Sequence, residues 1–170
     1  MCSSFVGSGP HSRSSSLAPA RASSCRTELA AAAEVGELAT GVDGCGVVTF
    51  ALTLERMAHA FSRLESLDAG ASVAAAMRAH PELIRGPGAP DTVLMQRLPG
   101  WTAKGGAEAL LGAVSPDGLG VVVKVEDGGS RAVGPGLAAF LARLGNELPE
   151  LRSTPVCNSR GELVGAVVAE

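Results

Sequence analysis

The amino-acid sequence predicts an α+β fold in which helices come first and an antiparallel sheet of hairpins follows. Apolar residues recur at helical spacing as far as residue 98, whereas the remainder contains short Val-rich runs separated by Gly, Pro and Asp turns. A chain of 170 residues fits one domain. Because aromatic residues make up only 3% of the chain and small side chains bury little area each, stability must come from close backbone packing or from a partner surface.

The first half is predicted to contain helices separated by one strand. The predicted helices span residues 28–38, 54–64, 72–80 and 91–98, and their end signals are Gly41, Thr53, Pro81 and Asp91. Leu54 and Phe61 lie on the apolar face of the second helix. An apolar run over residues 47–52, which follows a Gly-rich turn at residues 42–46, favours a strand.

The second half is predicted to contain two hairpins around one helix. Extended segments are expected at residues 101–104, 109–114, 119–125, 154–157 and 162–169, with turns at residues 116–118 and 158–161. The helix spans residues 130–144, and Gly145 is its stop signal. Its apolar residues Leu137, Phe140, Leu141 and Leu144 are expected to face the core.

Charge and composition exclude several classes of function. The net charge is −3, and residues 28–170 carry 11 basic and 17 acidic side chains, so we predict no binding to nucleic acid. No apolar run reaches the length that spans a membrane. The four cysteines (Cys2, Cys25, Cys45 and Cys157) lack the paired spacing of a disulfide framework, which favours a cytoplasmic protein.

Residues 1–27 differ in composition from the rest of the chain. They contain nine Ser and three Arg, no Asp or Glu, and no periodicity. We predict a disordered or non-homologous leader over residues 1–27 and a folded domain over residues 28–170. A transit peptide and a shifted reading frame are the alternative interpretations of the leader.

The segment Asp43-Gly44-Cys45-Gly46 is the first candidate for chemistry. Two glycines beside a cysteine allow a tight turn and let a ligand approach the backbone. The Cys45 thiolate would then be a nucleophile or a soft metal ligand. The alternative is an ordinary turn with a small buried cysteine. The spacing of His59 and His80 does not support a Cys–His pair with Cys45.

The segment Lys104-Gly105-Gly106-Ala107-Glu108 is the second candidate. A lysine at the end of a short strand, followed by two glycines, can reach into a cleft. It would act there as a general base or as a fixed cation that holds a substrate carboxylate. The alternative is a solvated lysine that pairs with Glu108.

Together these segments resemble the bacterial type II L-asparaginase family, which has a serine-β-lactamase-like fold. The matching segments, in chain order, are Val42-Asp-Gly-Cys-Gly-Val, Ala76-Met-Arg-Ala-His-Pro-Glu-Leu, Asp91-Thr with Met95, Ala103-Lys-Gly-Gly-Ala-Glu, Gly118-Leu-Gly, Lys124 with Asp127-Gly-Gly, Arg131-Ala, Pro155-Val-Cys-Asn and Arg160-Gly-Glu-Leu-Val-Gly. The resemblance implies hydrolysis of L-asparagine to aspartate and ammonia by serine–lysine catalysis, with a zinc ion nearby. It implies Lys104 as the catalytic lysine, Cys45 as a zinc ligand, and Asp43, Gly106 and Glu108 as substrate contacts.

The chain departs from the family in its nucleophile. The residues three positions before its two lysines are Trp101 and Val121, so no Ser-x-x-Lys motif is present, and the Cys-Ser-Gly-Lys-His segment of the family is missing as well. We therefore expect a truncated, impaired enzyme with weak or no zinc binding. The alternatives are a non-catalytic remnant that pairs with a separate N-terminal half and a thiol hydrolase that uses Cys45. The predicted partners are L-asparagine and either a second copy of the chain or an N-terminal half, without nucleic acid or membrane.

Overall fold

The structure, a computed structural model, describes residues 17–44 and 46–170, and its mixture of helices and small antiparallel sheets confirms the α+β class. The α-helices are α1 (Leu17–Ala33), α2 (Leu54–Ser62), α3 (Gly70–Ala79), α4 (Glu82–Arg85), α5 (Pro90–Arg97) and α6 (Val133–Ala142). The strands are β1 (Ala39–Val42), β2 (Val48–Ala51), β3 (Thr102–Gly106), β4 (Leu110–Val114), β5 (Gly120–Lys124), β6 (Ser153–Cys157) and β7 (Leu163–Val168). Along the described residues, no helix combines the length and apolar character needed to cross a membrane.

A three-stranded antiparallel sheet, in the order β3-β4-β5, organises the molecule. Lys104 on β3 lies opposite Gly112 on β4, which in turn lies opposite Val122 on β5. Directly paired residues of antiparallel strands share a face, and successive residues alternate between faces. This register therefore decides which side chains meet each helix layer.

One face of the central sheet is covered by α2, and two glycines allow the close approach. A Cβ at Gly112 would overlap the ring of Phe61, and a Cβ at Gly120 would overlap the backbone carbonyl of Ala58. Thr53 caps α2, because its side chain accepts a hydrogen bond from the Arg56 N–H at 3.3 Å, as the sequence predicts. Where large side chains are scarce, the backbones of the helix and the strands pack directly against each other.

The opposite face carries the main core, where α5 and α6 pack on the sheet. Ala103, Leu111, Ala113 and Val121 point to this side and are buried together with Leu94, Met95, Leu137 and Leu141 from the two helices. Trp101 precedes β3 and is also buried in this core. The core therefore lies between the central sheet and the helices of the second half of the chain.

Two separate hairpins lie outside this core. Strands β1 and β2 form one two-stranded sheet, and strands β6 and β7 form another. Most of their residues are exposed, including Val42, Leu163 and Val164. In the second hairpin, Asn158 forms the predicted turn, because its Oδ1 accepts from the N–H groups of Arg160 (2.9 Å) and Glu162 (3.0 Å).

The first helix differs from the prediction at both ends. Helix α1 begins at Leu17 instead of residue 28 and ends at Ala33 instead of near Gly41. Glu34 takes a left-handed conformation (φ 52°), and the Val35 N–H bonds back to the Ala30 carbonyl at 3.0 Å, which closes the helix. Gly41 is instead part of β1, and the predicted boundary at residue 28 falls within α1.

Some predicted core positions are exposed. Leu137 and Leu141 are buried on α6, as expected, but Phe140 is 47% exposed and Leu144 is 46% exposed. Helix α6 ends at Ala142, so Leu144 lies beyond it, and only one face of α6 contacts the sheet. Leu54, the first residue of α2, is also 47% exposed.

Candidate active site

Lys104 lies in the middle of β3, an edge strand of the central sheet. Its side chain is exposed, and its ammonium donates a hydrogen bond to the carbonyl oxygen of Gly105. Because Lys104 is paired with Gly112, it lies on the face that α2 covers through Phe61. A cation on an accessible strand edge is placed to bind an anionic group such as a carboxylate.

A buried carboxylate fixes the backbone next to Lys104. Asp91 is fully buried in the first turn of α5, and its Oδ2 accepts a hydrogen bond from the Gly105 N–H at 2.7 Å. Its other oxygen accepts from the Thr92 N–H at 3.1 Å. The sequence predicted Asp91 as the cap of this helix, and that was wrong, because Ala89 occupies the cap position. Asp91 instead ties α5 to the strand that carries Lys104.

Thr102 is a second buried polar residue on β3. It lies two positions before Lys104 and is therefore on the same face of the sheet. Arg78 of α3 donates to its hydroxyl at 2.7 Å and also forms an ion pair with Glu65. Arg78 therefore links α3 to the strand of Lys104, because it contacts both the buried Thr102 hydroxyl and the Glu65 carboxylate.

Gly106 and Glu108 lie at the end of this strand and in the turn that follows it. Glu108 and Ala109 both have positive φ values of 54°, a conformation that costs a residue with a side chain about 1–2 kcal/mol. The Glu108 carboxylate lies against Gly128, since a Cβ at that position would overlap it. The turn is also held by a 3.1 Å hydrogen bond from the Val125 N–H to the Ala109 carbonyl. Lys104, Gly106 and Glu108 thus belong to one hairpin.

Asp43 lies in a different sheet, in the turn between β1 and β2. Its Oδ1 accepts from the Val47 N–H at 3.1 Å, and its own N–H donates to the Val47 carbonyl at 3.0 Å. Cys45, the predicted zinc ligand, lies outside the described residues. Cys25 and Cys157 are exposed free thiols. Within the described part of the chain, no three His, Cys, Asp or Glu side chains form a group that could hold a metal ion.

The loop that follows β5 carries an ordered ion pair. Asp127 pairs with Arg131 and accepts a hydrogen bond from the Gly129 N–H at 2.8 Å. The Gly129 N–H and, after it, Arg131 hold the pKa of Asp127 below its ordinary value of 3.8. The carboxylate of Asp127 is therefore ionised at neutral pH and orders the loop before α6.

A cavity of about 580 Å³ lies beside Arg85, between the loop before α5, the start of α6 and β6. The Arg85 guanidinium fills the space beside Gly105, where a Cβ would overlap it, and consecutive strand residues point to opposite faces. Arg85 and Lys104 therefore lie on opposite faces of the strand. The charged and hydroxyl-bearing side chains of the lining are Arg85, Ser130, Arg131, Glu150, Ser153 and Thr154.

Sequence analysis missed Arg78, Arg85, Asp91 and Thr102 as residues that surround the candidate site. Asp91-Thr92 after Ala89-Pro90 is a common start of a helix, so the local pattern gave no sign of a long-range contact. The contact to Gly105 spans 14 residues of sequence, and only the packing of α5 on β3 creates it. The Gly105-Gly106 pair was the one local indication of such a contact, because glycines next to a lysine let another group approach the backbone closely.

Comparison with known proteins identifies the family of the chain. The family model for L-asparaginase II matches residues 19–169, which include β3, the Lys104 hairpin and both outer hairpins. A search of curated proteins gave no significant match. The family match covers most of the 170 residues, and the chain therefore belongs to the L-asparaginase II family.

Proposed function

We propose that the chain is an L-asparaginase-like amidohydrolase module that acts on the side-chain amide of L-asparagine. The family match over residues 19–169 carries this proposal. Within it, Lys104 is the catalytic lysine, and Gly106, Glu108 and Asp43 contact substrate. The exposure of Lys104 on an edge strand and the buried support from Asp91 accord with a lysine that a second surface covers in the active state.

The module is impaired on its own, because it lacks the nucleophile that would partner Lys104. The residue three positions before Lys104 is Trp101, and the residue three positions before Lys124 is Val121. Neither lysine therefore belongs to a Ser-x-x-Lys motif. Thr102 has a hydroxyl on the same face, but it is fully buried and engaged by Arg78. An acyl-enzyme needs an accessible hydroxyl next to a base, so on this proposal residues outside these 170 supply it.

The family resemblance assigns one zinc ligand to this chain, Cys45, whereas a closed zinc site needs four. Among the described residues, no group of three His, Cys, Asp or Glu side chains could supply the others. We therefore propose weak or no zinc binding by the chain alone and derive no catalytic step from a metal.

A non-catalytic partner module is the second candidate, and the two outer hairpins favour it. Isolated two-stranded hairpins are marginal in water, yet these expose Val42 (71%), Leu163 (70%) and Val164 (62%). A separately encoded N-terminal half would cover such strands and stabilise them. In this case the chain would complete the fold of its partner without a reaction of its own.

Ammonia release from L-asparagine tests the proposed function. The purified chain should release ammonia no faster than a buffer control. Addition of an N-terminal half of an intact family member, with its Ser-x-x-Lys motif, should restore turnover to the original chain and to Lys124→Ala but not to Lys104→Ala. Lys124 is a matched control, because its ammonium, like that of Lys104, donates to the carbonyl of the next residue in sequence.

Two outcomes would contradict the proposal. Turnover by the chain alone that disappears in Lys104→Ala would show that it has its own nucleophile. A stable complex with the added half that remains inactive, with Lys104 intact, would favour the non-catalytic module.

A further inference from the structure

The cavity lined by Arg85 contains a cation without a partner. Within residues 17–44 and 46–170, the exposed side chain of Arg85 takes part in no ion pair or hydrogen bond, whereas the other charged side chains of the lining are paired, Arg131 with Asp127 and Glu150 with Arg97. The lining therefore has an excess positive charge at Arg85. A guanidinium presents a fork of N–H donors that matches a carboxylate.

Hydroxyl groups surround the same space. The side chains of Ser130, Ser153 and Thr154 line the cavity, and no hydrogen bond among the described residues engages their hydroxyls. Each hydroxyl can donate to an anion. Together with Arg85 they provide donors from three separate elements around one opening.

The remaining lining decides the size and character of a ligand. At about 580 Å³ the cavity lies in the range of small-molecule sites, roughly 300–1,000 Å³, and exceeds what a simple inorganic anion fills. Pro87, Pro90, Val133 and Leu151 supply apolar surface that would cover a short carbon chain.

We infer that this cavity is a binding site for a small organic carboxylate, separate from the Lys104 site. The ligand places one carboxylate on Arg85 and the hydroxyl donors, and its carbon chain lies on the proline, valine and leucine side chains. Since Arg85 lies against Gly105 on the face opposite to Lys104, binding here does not require the catalytic lysine.

Calorimetric titration with succinate tests this inference on the full chain. Arg85→Gln should weaken binding by about tenfold or more, because it removes a charge-assisted contact. Thr154→Val, which keeps the shape but removes a hydroxyl, should weaken it by a few-fold. Arg143→Gln, an exposed arginine outside the lining, and Lys104→Gln should bind succinate like the original chain.

Inorganic phosphate provides the comparison ligand, and thermal melting of each variant verifies folding. Phosphate should bind more weakly than succinate, because it leaves the apolar lining uncovered. Absence of succinate binding at millimolar concentration would overturn the inference, and so would equal affinity in Arg85→Gln. Loss of binding in Lys104→Gln with retention in Arg85→Gln would place the ligand at the Lys104 face instead. None of these results depends on turnover of asparagine.

Discussion

At the scale of single residues, the neighbourhood of Lys104 depends on groups that are not exposed. Lys104 itself is exposed, whereas Asp91 and Thr102, which determine its position, are fully buried. A buried carboxylate is tolerated only with good hydrogen bonds, and Asp91 has two, from the Thr92 and Gly105 N–H groups. The local sequence predicted Lys104 as a site residue but not the roles of Asp91 and Thr102, because those roles depend on tertiary contacts.

Asp91 should therefore contribute strongly to stability. Asp91→Ala leaves the Gly105 N–H without its acceptor, and we expect the free energy of unfolding to fall by about 2–3 kcal/mol. Asp91→Asn retains an oxygen at this position and should cost less. Asp68→Ala, at an exposed aspartate, is the control and should change stability by at most about 0.5 kcal/mol. Urea denaturation measures all three, and a cost for Asp91→Ala no larger than that of the control would contradict this role.

At the scale of elements, the turns of the second half were predicted better than the end of α1 and the β1–β2 hairpin, of which the sequence predicted only one strand. The Asn158 turn and the β4–β5 turn depend on local side-chain and glycine chemistry, which the sequence displays directly. The end of α1 depends on Glu34 in a left-handed conformation. Glycine is the usual sequence signal for that conformation, and this position has none. Gly41 suggested a later end, but it belongs to a strand that pairs with β2.

The glycines of the sheet and of α6 should respond in opposite ways to substitution. Gly120→Ala places a methyl group into the backbone of α2 at Ala58, which cannot rotate away, so we expect a loss of about 1–3 kcal/mol. Gly136 lies inside α6, and a Cβ there would meet only Val123, at 3.9 Å. Gly136→Ala should therefore stabilise the chain by about 0.5–1 kcal/mol through helix propensity.

Thermal or chemical denaturation of these two variants measures how closely α2 packs on the sheet. Equal effects of the two substitutions would mean that α2 moves away at little cost. In that case the close approach of Phe61 and Ala58 to β4 and β5 would not be a fixed feature of the fold.

At the scale of the whole molecule, the sequence predicted the class and the family but not how the candidate residues are grouped. Lys104, Gly106 and Glu108 are adjacent in sequence and share one hairpin. Asp43 lies in another sheet, and the cavity beside Arg85 joins the loop before α5 to the start of α6 and β6. Such groupings follow from the packing of distant elements, which a single sequence does not display.

The division of the chain at residue 28 remains a prediction, and it falls within α1 and within the family match, which begins at residue 19. Residues 23–28 of α1 are exposed, Leu29 is half-buried, and Ala32 and Ala33 are buried. Arg63 of the loop after α2 also donates to the carbonyl of Ala31 at 2.9 Å. Among residues 23–33 of α1, the buried side chains therefore lie after residue 28, although Arg26 also donates to the carbonyl of Leu38 at 3.5 Å.

Two truncated chains test this division. A chain that starts at residue 28 should lose at most about 1 kcal/mol of unfolding free energy, since it removes mainly exposed helix. A chain that starts at residue 34 loses Leu29, Ala32, Ala33 and the acceptor of Arg63, and should lose about 2–4 kcal/mol. Urea denaturation of both, next to the full chain, measures the difference. A loss of several kcal/mol in the first truncation would instead place residues 17–27 within the folded domain, in keeping with a family match that begins at residue 19.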